Sequence, residues 1–387
     1  MEFIIRFFQP PTGSFFLFGP RGTGKSTWAR SCFPEALIVD LLDPSTYREY
    51  SARPERLREL IAGSPGKKRI LIDEVQKVPD LLSVVHGLIE ARAGHQFILT
   101  GSSARKIRRS GVDLLAGRAL LRTLHPFTAA ELGKAFRLKE ALNQGLVPLV
   151  VGSQHPEDVI RSYADLYVQE EVKAEGLVRN VGSFSRFLEA MSLSHASILN
   201  TSNVARECQV ERKTVENYIS ILEDLLLAYK VPVFTRRAKR KLVAHPKFYF
   251  FDVGVFQTLR PRGPLDRRDE ISGAALEGLV VQHLRAWNAY RGEPNTICYW
   301  RTQGGVEVDL VVYGDDGLWA IEVKNSLRVH TIDLRSLRTF LADYPEGKAL
   351  LLYRGSERLR IDDVLCLPCD AFLRALHPAR AIDDLIE

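Results

Sequence analysis

The sequence predicts an α/β protein. A parallel sheet wound by helices fills the first third, a mostly helical stretch follows, then a helix pair with two strands, and a second α/β region closes the chain. Three observations predict this. Apolar runs at 15–18, 68–73 and 96–103 alternate with helix-compatible segments, the order of a parallel sheet with crossover helices. Residues 204–222 carry two apolar helical faces separated by a turn. Residues 305–324 read as two strands joined by a short polar turn.

The first element is Phe15-Phe-Leu-Phe18, followed by Gly19-Pro-Arg-Gly-Thr-Gly-Lys-Ser-Thr27, which fits G-x-x-x-x-G-K-[ST] from Gly19 to Ser26. A helix-compatible run begins at Thr27. Strand, glycine loop and helix in that order form a phosphate-binding P-loop. Gly19, Pro20, Arg21, Gly22, Thr23 and Gly24 would turn backbone N–H groups onto phosphate oxygens, and the helix N-terminus adds its positive dipole. Lys25 would reach the β- and γ-phosphates, Ser26 would ligate Mg²⁺, and Thr27 completes the loop. The expected ligand is ATP with Mg²⁺.

The second element, Lys68-Arg-Ile-Leu-Ile-Asp73-Glu74, is an apolar strand ending in two carboxylates. In a P-loop ATPase such a strand is expected beside the P-loop strand. Its Asp73 would hold Mg²⁺, and its Glu74 would polarise the attacking water. The third strand runs through Gln96-Phe-Ile-Leu-Thr-Gly-Ser-Ser103, where Thr100, Ser102 or Ser103 can sense the γ-phosphate or orient water.

Ile72-Asp-Glu-Val-Gln-Lys-Val-Pro79, Leu99-Thr-Gly-Ser-Ser103 and Leu115-Ala-Gly-Arg118 resemble the AAA+-type ATPases of bacteria and archaea that carry a C-terminal domain of unknown function. The resemblance extends over nearly the whole chain. It implies a homo-oligomer in which an arginine from a neighbouring subunit completes the ATP site. Arg118 is the leading candidate and Arg105 the second; a surface arginine or a DNA contact is the alternative.

From 131 to about 190 the pattern is mostly helical, with Thr128 placed to cap the first helix and Pro156 in a first turn. This stretch is expected to form a small lid over the nucleotide, with Tyr163 and Tyr167 as packing residues. Beyond it, Ser202 can cap a short helix carrying Val204, Ala205 and Cys208. Gln209-Val210 make a turn, and a second helix from about Arg212 shows Val215, Tyr218, Ile219 and Leu222 on one face. That is helix-turn-helix spacing, which brings Arg212, Lys213 and Thr214 toward a major groove. Tyr229–Phe234 and Lys247–Phe251 then read as strands around Arg236-Arg-Ala-Lys-Arg-Lys241, a basic run that completes a winged helix and suits phosphates. Such folds also dock proteins, so DNA is the favoured partner and protein docking the alternative.

At the C-terminus, Gly305-Val-Glu-Val-Asp-Leu-Val-Val312 and Gly317-Leu-Trp-Ala-Ile-Glu-Val-Lys324 read as a hairpin. Alternation of side chains puts Glu322 and Lys324 on one face. Asp309 with Glu322-x-Lys324 resembles the D…E-x-K arrangement of restriction-endonuclease-like nucleases. The resemblance implies that Asp309 and Glu322 hold Mg²⁺ or Mn²⁺ against a phosphate and that Lys324 positions or deprotonates the water. It also implies that Glu277, on the preceding helix, joins the metal site. The alternative is a structural ion pair in a domain that binds without cutting.

The predicted fold class is therefore α/β: a P-loop NTPase parallel sheet over 1–130, a helical lid over 131–190, a winged helix-turn-helix over 191–262, and a restriction-endonuclease-like domain over 263–387. The net charge of +6 suits an anionic partner. No apolar run reaches membrane-spanning length and the N-terminus is too interrupted for a signal peptide, so a cytoplasmic protein with no membrane partner is expected. The lone Cys366-Leu-Pro-Cys369 reads as core cysteines. The expected function is an ATP-hydrolysing ATPase acting on DNA with a metal-dependent nuclease domain. The alternative is a regulatory ATPase whose modules bind DNA or protein without cleavage, and a small-molecule kinase stands third because no acceptor site is visible.

Overall fold

The computed structural model describes residues 4–102, 115–167, 181–264 and 266–386. Ser103 and Arg105 lie outside the described residues. The chain divides into two compact units: 8–125 with 223–226, and 126–222 with 227–387 and the N-terminal residues through Phe7.

The first unit is built on five parallel strands: β1 (Phe15–Phe18), β2 (Leu37–Asp40), β3 (Arg69–Asp73), β4 (Gln96–Gly101) and β5 (Leu120–Thr123). Their spatial order is β2-β3-β4-β1-β5. Every neighbouring pair in that order is parallel. Strands covered by helices on both faces need apolar residues at every position rather than at alternate ones, and Phe15–Phe18 is buried throughout. One face of the sheet packs Phe16, Val39, Ile70, Ile72, Phe97 and Leu99 into a single cluster. On β1, Phe15 meets Trp28 and Phe33 edge-on or tilted.

The order corrects one expectation. β3, which carries Asp73, does not lie beside the P-loop strand, because β4 is inserted between them. The carboxylate must reach past the end of β4, and that places Thr100 inside the site.

The second unit contains two sheets. The smaller has order β6-β8-β7, from β6 (Ser197–Ile198), β7 (Ala228–Val231) and β8 (Lys247–Phe250), all antiparallel. Two helices, Thr201–Cys208 and Arg212–Asp224, lie in the chain between β6 and β7. The turn between them runs through Gln209, whose φ of 54° is left-handed. The first helix is capped by Asn200, whose side chain accepts a bond from the Asn203 N–H at 3.1 Å. Ser202, expected as the cap, lies inside the helix.

The larger sheet has order β13-β14-β12-β11-β10-β9. Its strands are β9 (Asn295–Arg301), β10 (Glu307–Gly314), β11 (Gly317–Lys324), β12 (Lys348–Tyr353), β13 (Leu359–Ile361) and β14 (Val364–Pro368). β10 and β11 form the antiparallel hairpin, with Gly314 opposite Gly317. β11, β12 and β14 run parallel. The helix Arg268–Tyr290 is buried nearly all round, including Leu276, Leu279, His283 and Trp287. Cys366 and Cys369 are free thiols in the core, where burial pushes the Cys369 thiol up to about 12.

The described helices between 129 and 193 pack within this second unit. Asp252 is one reason. Its buried carboxylate accepts bonds from the Leu146 N–H at 2.8 Å, the Gly254 N–H at 2.8 Å and Gln282 Nε2 at 3.2 Å.

Candidate functional site

Gly19 to Gly24 form the loop between β1 and the helix Lys25–Cys32, which we call α1. α1 starts two residues before the expected Thr27, so Lys25, Ser26 and Thr27 all lie in its first turn. The steric demand for glycine is clear at Gly24 and Gly19. Gly24 caps α1 at φ 85°, in the left-handed region that a side chain strains. At Gly19 a Cβ would stand 2.5 Å from the carbonyl oxygen of Leu124. Thr23 is fully buried, its hydroxyl donating to the Pro20 carbonyl at 2.7 Å. Lys25 Nζ donates to the carbonyls of Gly19 at 2.7 Å and Pro20 at 3.2 Å, so the ammonium lies against the loop it is expected to serve. Arg21 is exposed.

Asp73 ends β3 fully buried. Its Oδ1 accepts from Ser26 Oγ at 2.8 Å and from Thr100 Oγ1. Its Oδ2 accepts no hydrogen bond among the described residues, with Arg30 3.7 Å away. A buried carboxylate oxygen without a donor is costly unless something else occupies it. Beside a P-loop serine, an oxygen of this kind fits the Mg²⁺ position that the sequence implies, and hard oxygen ligands are what Mg²⁺ selects.

Glu74 has φ 60° and ψ 46°, a left-handed backbone that turns the chain off the strand. Non-glycine residues held there cost about 1–3 kcal/mol and persist where their surroundings over-determine them. The surroundings are visible. The Glu74 N–H donates to Thr100 Oγ1 at 3.2 Å, and Gln76 Nε2 donates to Glu74 Oε2 and to Ser102 Oγ at 3.1 Å. Thr100 is fully buried, whereas Ser102 and Gln76 are 7% exposed. The structure thus brings Ser26, Asp73, Glu74, Thr100 and Ser102 together. Sequence reasoning missed Gln76. The available signal was an amide residue two positions after Glu74 in a segment too apolar to be a simple surface loop. Arg118 pairs with Glu90 on an exposed surface of the same unit.

The second cluster belongs to the other unit. Asp309 Oδ2 accepts from the Val323 N–H at 2.9 Å. Glu322 accepts from Lys324 Nζ at 2.6 Å and from Ser336 Oγ at 3.1 Å. Glu277 accepts from Tyr249 Oη at 2.6 Å. A residue the sequence reading missed stands among them. Lys247 Nζ lies 2.9 Å from Glu277 Oε1, 2.6 Å from Glu307 Oε1 and 3.7 Å from Asp309 Oδ1, with its side chain 1% exposed. The signal was a lysine opening a strand otherwise made of aromatic residues, Lys247-Phe-Tyr-Phe-Phe251, since a lysine in such a strand needs a buried partner.

Burial pulls the Lys247 ammonium toward losing its proton, but Glu277, Asp309 and Glu307 outweigh that and raise its pKa. Burial also raises Glu277 to about 7 against the pull of Lys247, and it pushes Glu322 well above the usual carboxylate range. The two shifts pull the Lys247–Glu277 pair in opposite directions, one toward an ion pair and the other toward a protonated Glu277. The 2.6 Å approach to Glu307 keeps Lys247 charged either way, so any proton in play belongs to Glu277. Among the described residues no group of three or more His, Cys, Asp or Glu side chains is arranged to hold a metal ion. As they stand, Glu277, Asp309 and Glu322 do not fit the divalent cation that the nuclease resemblance implies, because a lysine cation and backbone and side-chain donors face them.

The basic run Arg236–Lys241 is exposed throughout. It is not a free hairpin tip, because its flanks pair with β9 and the residues after it. The Phe234 N–H donates to the Tyr299 carbonyl at 2.7 Å, and the Gln303 N–H donates to the Lys241 carbonyl at 2.9 Å. Arg236 lies over the Tyr313 ring, and Arg240 pairs with Asp343 at 2.6 Å. Elsewhere, Arg301 pairs with Glu307 at 2.7 Å and Arg338 pairs with Asp362.

Comparison with known families follows these divisions. Residues 12–133 match a family described as an AAA domain, which supports an AAA-type, ATPase-like module there. Residues 135–266 and 272–372 each match a family described as a domain of unknown function. An uncharacterized protein of Mycobacterium tuberculosis is 27% identical over 92% of this chain and 80% of its own length. An uncharacterized protein of Mycobacterium bovis shows the same figures. One from Haemophilus influenzae is 23% identical over 51% of this chain and 54% of its own. Among the described residues no helix is long and apolar enough to cross a membrane.

Proposed function

We propose that the protein is an ATP-hydrolysing AAA-type ATPase that acts on DNA. The observation that carries the ATPase reading is the Asp73 carboxylate. One oxygen is fixed by Ser26 and Thr100 and the other, among the described residues, accepts no hydrogen bond, beside a glycine loop and next to a Glu74 fixed by Gln76.

In this reading the loop N–H groups and the Lys25 ammonium bind the phosphates, with Lys25 exchanging its carbonyl partners for phosphate oxygens. Ser26 and Asp73 hold Mg²⁺, which neutralises charge developing on the phosphates when bound. Glu74 accepts a proton from, or orients, the attacking water. Gln76 fixes the carboxylate that does so, and Thr100 fixes the backbone of Glu74 and the carboxylate of Asp73 at once. Hydrolysis of this kind depends on positioning more than on covalent chemistry, so the hydrogen-bonded frame is the active part. Arg118 remains the proposed residue offered to a neighbouring subunit, at the cost of its pairing with Glu90.

DNA is the proposed partner because two helices joined by a short turn, read as a helix-turn-helix, and an exposed basic run belong to one unit. Strand cleavage is not part of the proposal, because the carboxylates of the nuclease-like cluster do not fit a metal. ATP turnover with and without duplex DNA tests the proposal. Lys25→Ala should abolish turnover. Glu74→Gln should keep ATP binding and lower turnover by about 10²–10⁴-fold. Normal turnover in Glu74→Gln refutes the base assignment, and turnover indifferent to DNA refutes the partner.

A further inference from the structure

We infer that Lys247 is the resident cation of the acidic cluster around Asp309, occupying the place where a nuclease of this arrangement would hold a divalent metal. The acidic cluster is then a structural ion-pair network rather than a metal centre. The inference is independent of the ATPase reading, since the two clusters lie in different units.

Each carboxylate of the cluster already has a partner on at least one oxygen. Glu277 Oε1 takes both the Lys247 ammonium and the Tyr249 hydroxyl. Asp309 Oδ2 takes the Val323 N–H, and Glu322 takes Lys324 and Ser336. Glu307 is shared between Lys247 and Arg301. Among the described residues, the carboxylates of Glu277, Glu307, Asp309 and Glu322 therefore face the cations of Lys247, Arg301 and Lys324. A divalent cation entering here would lie beside an ammonium, and like charges repel strongly where water is excluded.

Lys247 cannot step aside cheaply. It is the first residue of β8 and is registered against Val231 of β7 and Ile198 of β6 at the same time. Its side chain is 1% exposed, so the charged end has no short way to water. Withdrawing it would leave the Glu277 carboxylate, largely buried, with the Tyr249 hydroxyl but without its cation, while Glu307 would keep Arg301. The same interactions give the lysine a positive role, because they tie the small sheet to the helix bearing Glu277 and to β10 of the larger sheet.

Mn²⁺ binding to the nucleotide-free full chain, followed by the electron paramagnetic resonance of the free ion, tests this. The chains compared are wild type, Asp309→Asn, Lys247→Met and Lys247→Met with Asp309→Asn. Wild type and Asp309→Asn should bind Mn²⁺ identically, whatever the P-loop unit contributes. Lys247→Met should gain a site that Asp309→Asn removes. A wild-type Mn²⁺ site that disappears in Asp309→Asn overturns the inference. A folded Lys247→Met that gains no Asp309-dependent site overturns it as well. If Lys247→Met fails to fold, the wild-type and Asp309→Asn pair still decides.

Discussion

Thr100→Val is the sharpest test of how the ATPase frame works. Valine keeps the β-branched shape in a fully buried position and removes only the hydroxyl. That hydroxyl has two partners, donating to Asp73 Oδ1 and accepting from the Glu74 N–H at 3.2 Å. Losing the first removes a bond to a charged acceptor, worth about 1.5–3 kcal/mol, and losing the second leaves a part-buried donor without this acceptor, toward the lower end of about 1–3 kcal/mol. The two share one hydroxyl, and water or relaxation recovers part, so a net destabilisation of about 2–4 kcal/mol is expected. Urea unfolding monitored at Trp28, buried in the same unit, measures it.

The functional consequence is larger than the stability loss implies. Without the hydroxyl, the Glu74 N–H loses the β4 acceptor that helps hold its left-handed conformation, and the backbone relaxes toward an ordinary one. Turnover should fall by about 10- to 100-fold, the scale of misplacing a catalytic group by roughly an ångström. ATP affinity should change less than turnover, because Lys25 and the loop are untouched and Ser26 still holds Asp73 Oδ1. Thr100→Ser keeps the hydroxyl and should restore most of the turnover. Wild-type turnover in Thr100→Val, or a Thr100→Ser variant as impaired as valine, would refute the argument.

Other outcomes follow from the same geometry. Gly19→Ala drives a Cβ to 2.5 Å from the Leu124 carbonyl, so the loop must shift at about 1–3 kcal/mol, and calorimetry should show weaker ATP binding. Replacing Arg237, Lys239 and Lys241 by alanine should flatten the log–log salt dependence of DNA binding by about 0.9 for each phosphate no longer neutralised, whereas an unchanged slope removes the basic run from the interface. Arg236 and Arg240 are kept because Tyr313 and Asp343 engage them. His195 is buried and pushed down to about 3 by desolvation, its ring stacked 4.0 Å from Phe256. Between pH 6.5 and about 3 the unfolded chain therefore binds a proton there that the folded chain refuses, and stability falls as pH falls by about 1.4 kcal/mol per unit. His195→Phe, which keeps an aromatic ring over Phe256, should show a shallower loss than wild type between pH 6 and pH 5 in urea melts. Parallel curves would mean that His195 is not the titrating group.

The parts legible in the sequence are those whose chemistry is local. The glycine loop, Lys25 and Ser26 are contiguous, and their spacing fixes a strand, a turn and a helix start. The apolar run before Asp73 and Glu74 fixes a buried strand with carboxylates at its end. The β10–β11 hairpin was legible because its turn and its alternation agree. What meets from a distance had to wait for the folded chain. β4 between β1 and β3 makes Thr100 a link between Asp73 and Glu74, and no local pattern records strand order. Gln76 became visible only when its burial and its two bonds did. Lys247 shows the same limit more strongly. Residues 247, 277, 307 and 309 have no common periodicity, and their meeting follows from packing a small sheet, a long helix and a large sheet into one unit. Local spacing shows which carboxylates a strand can offer, and only the packed fold shows which cation they receive.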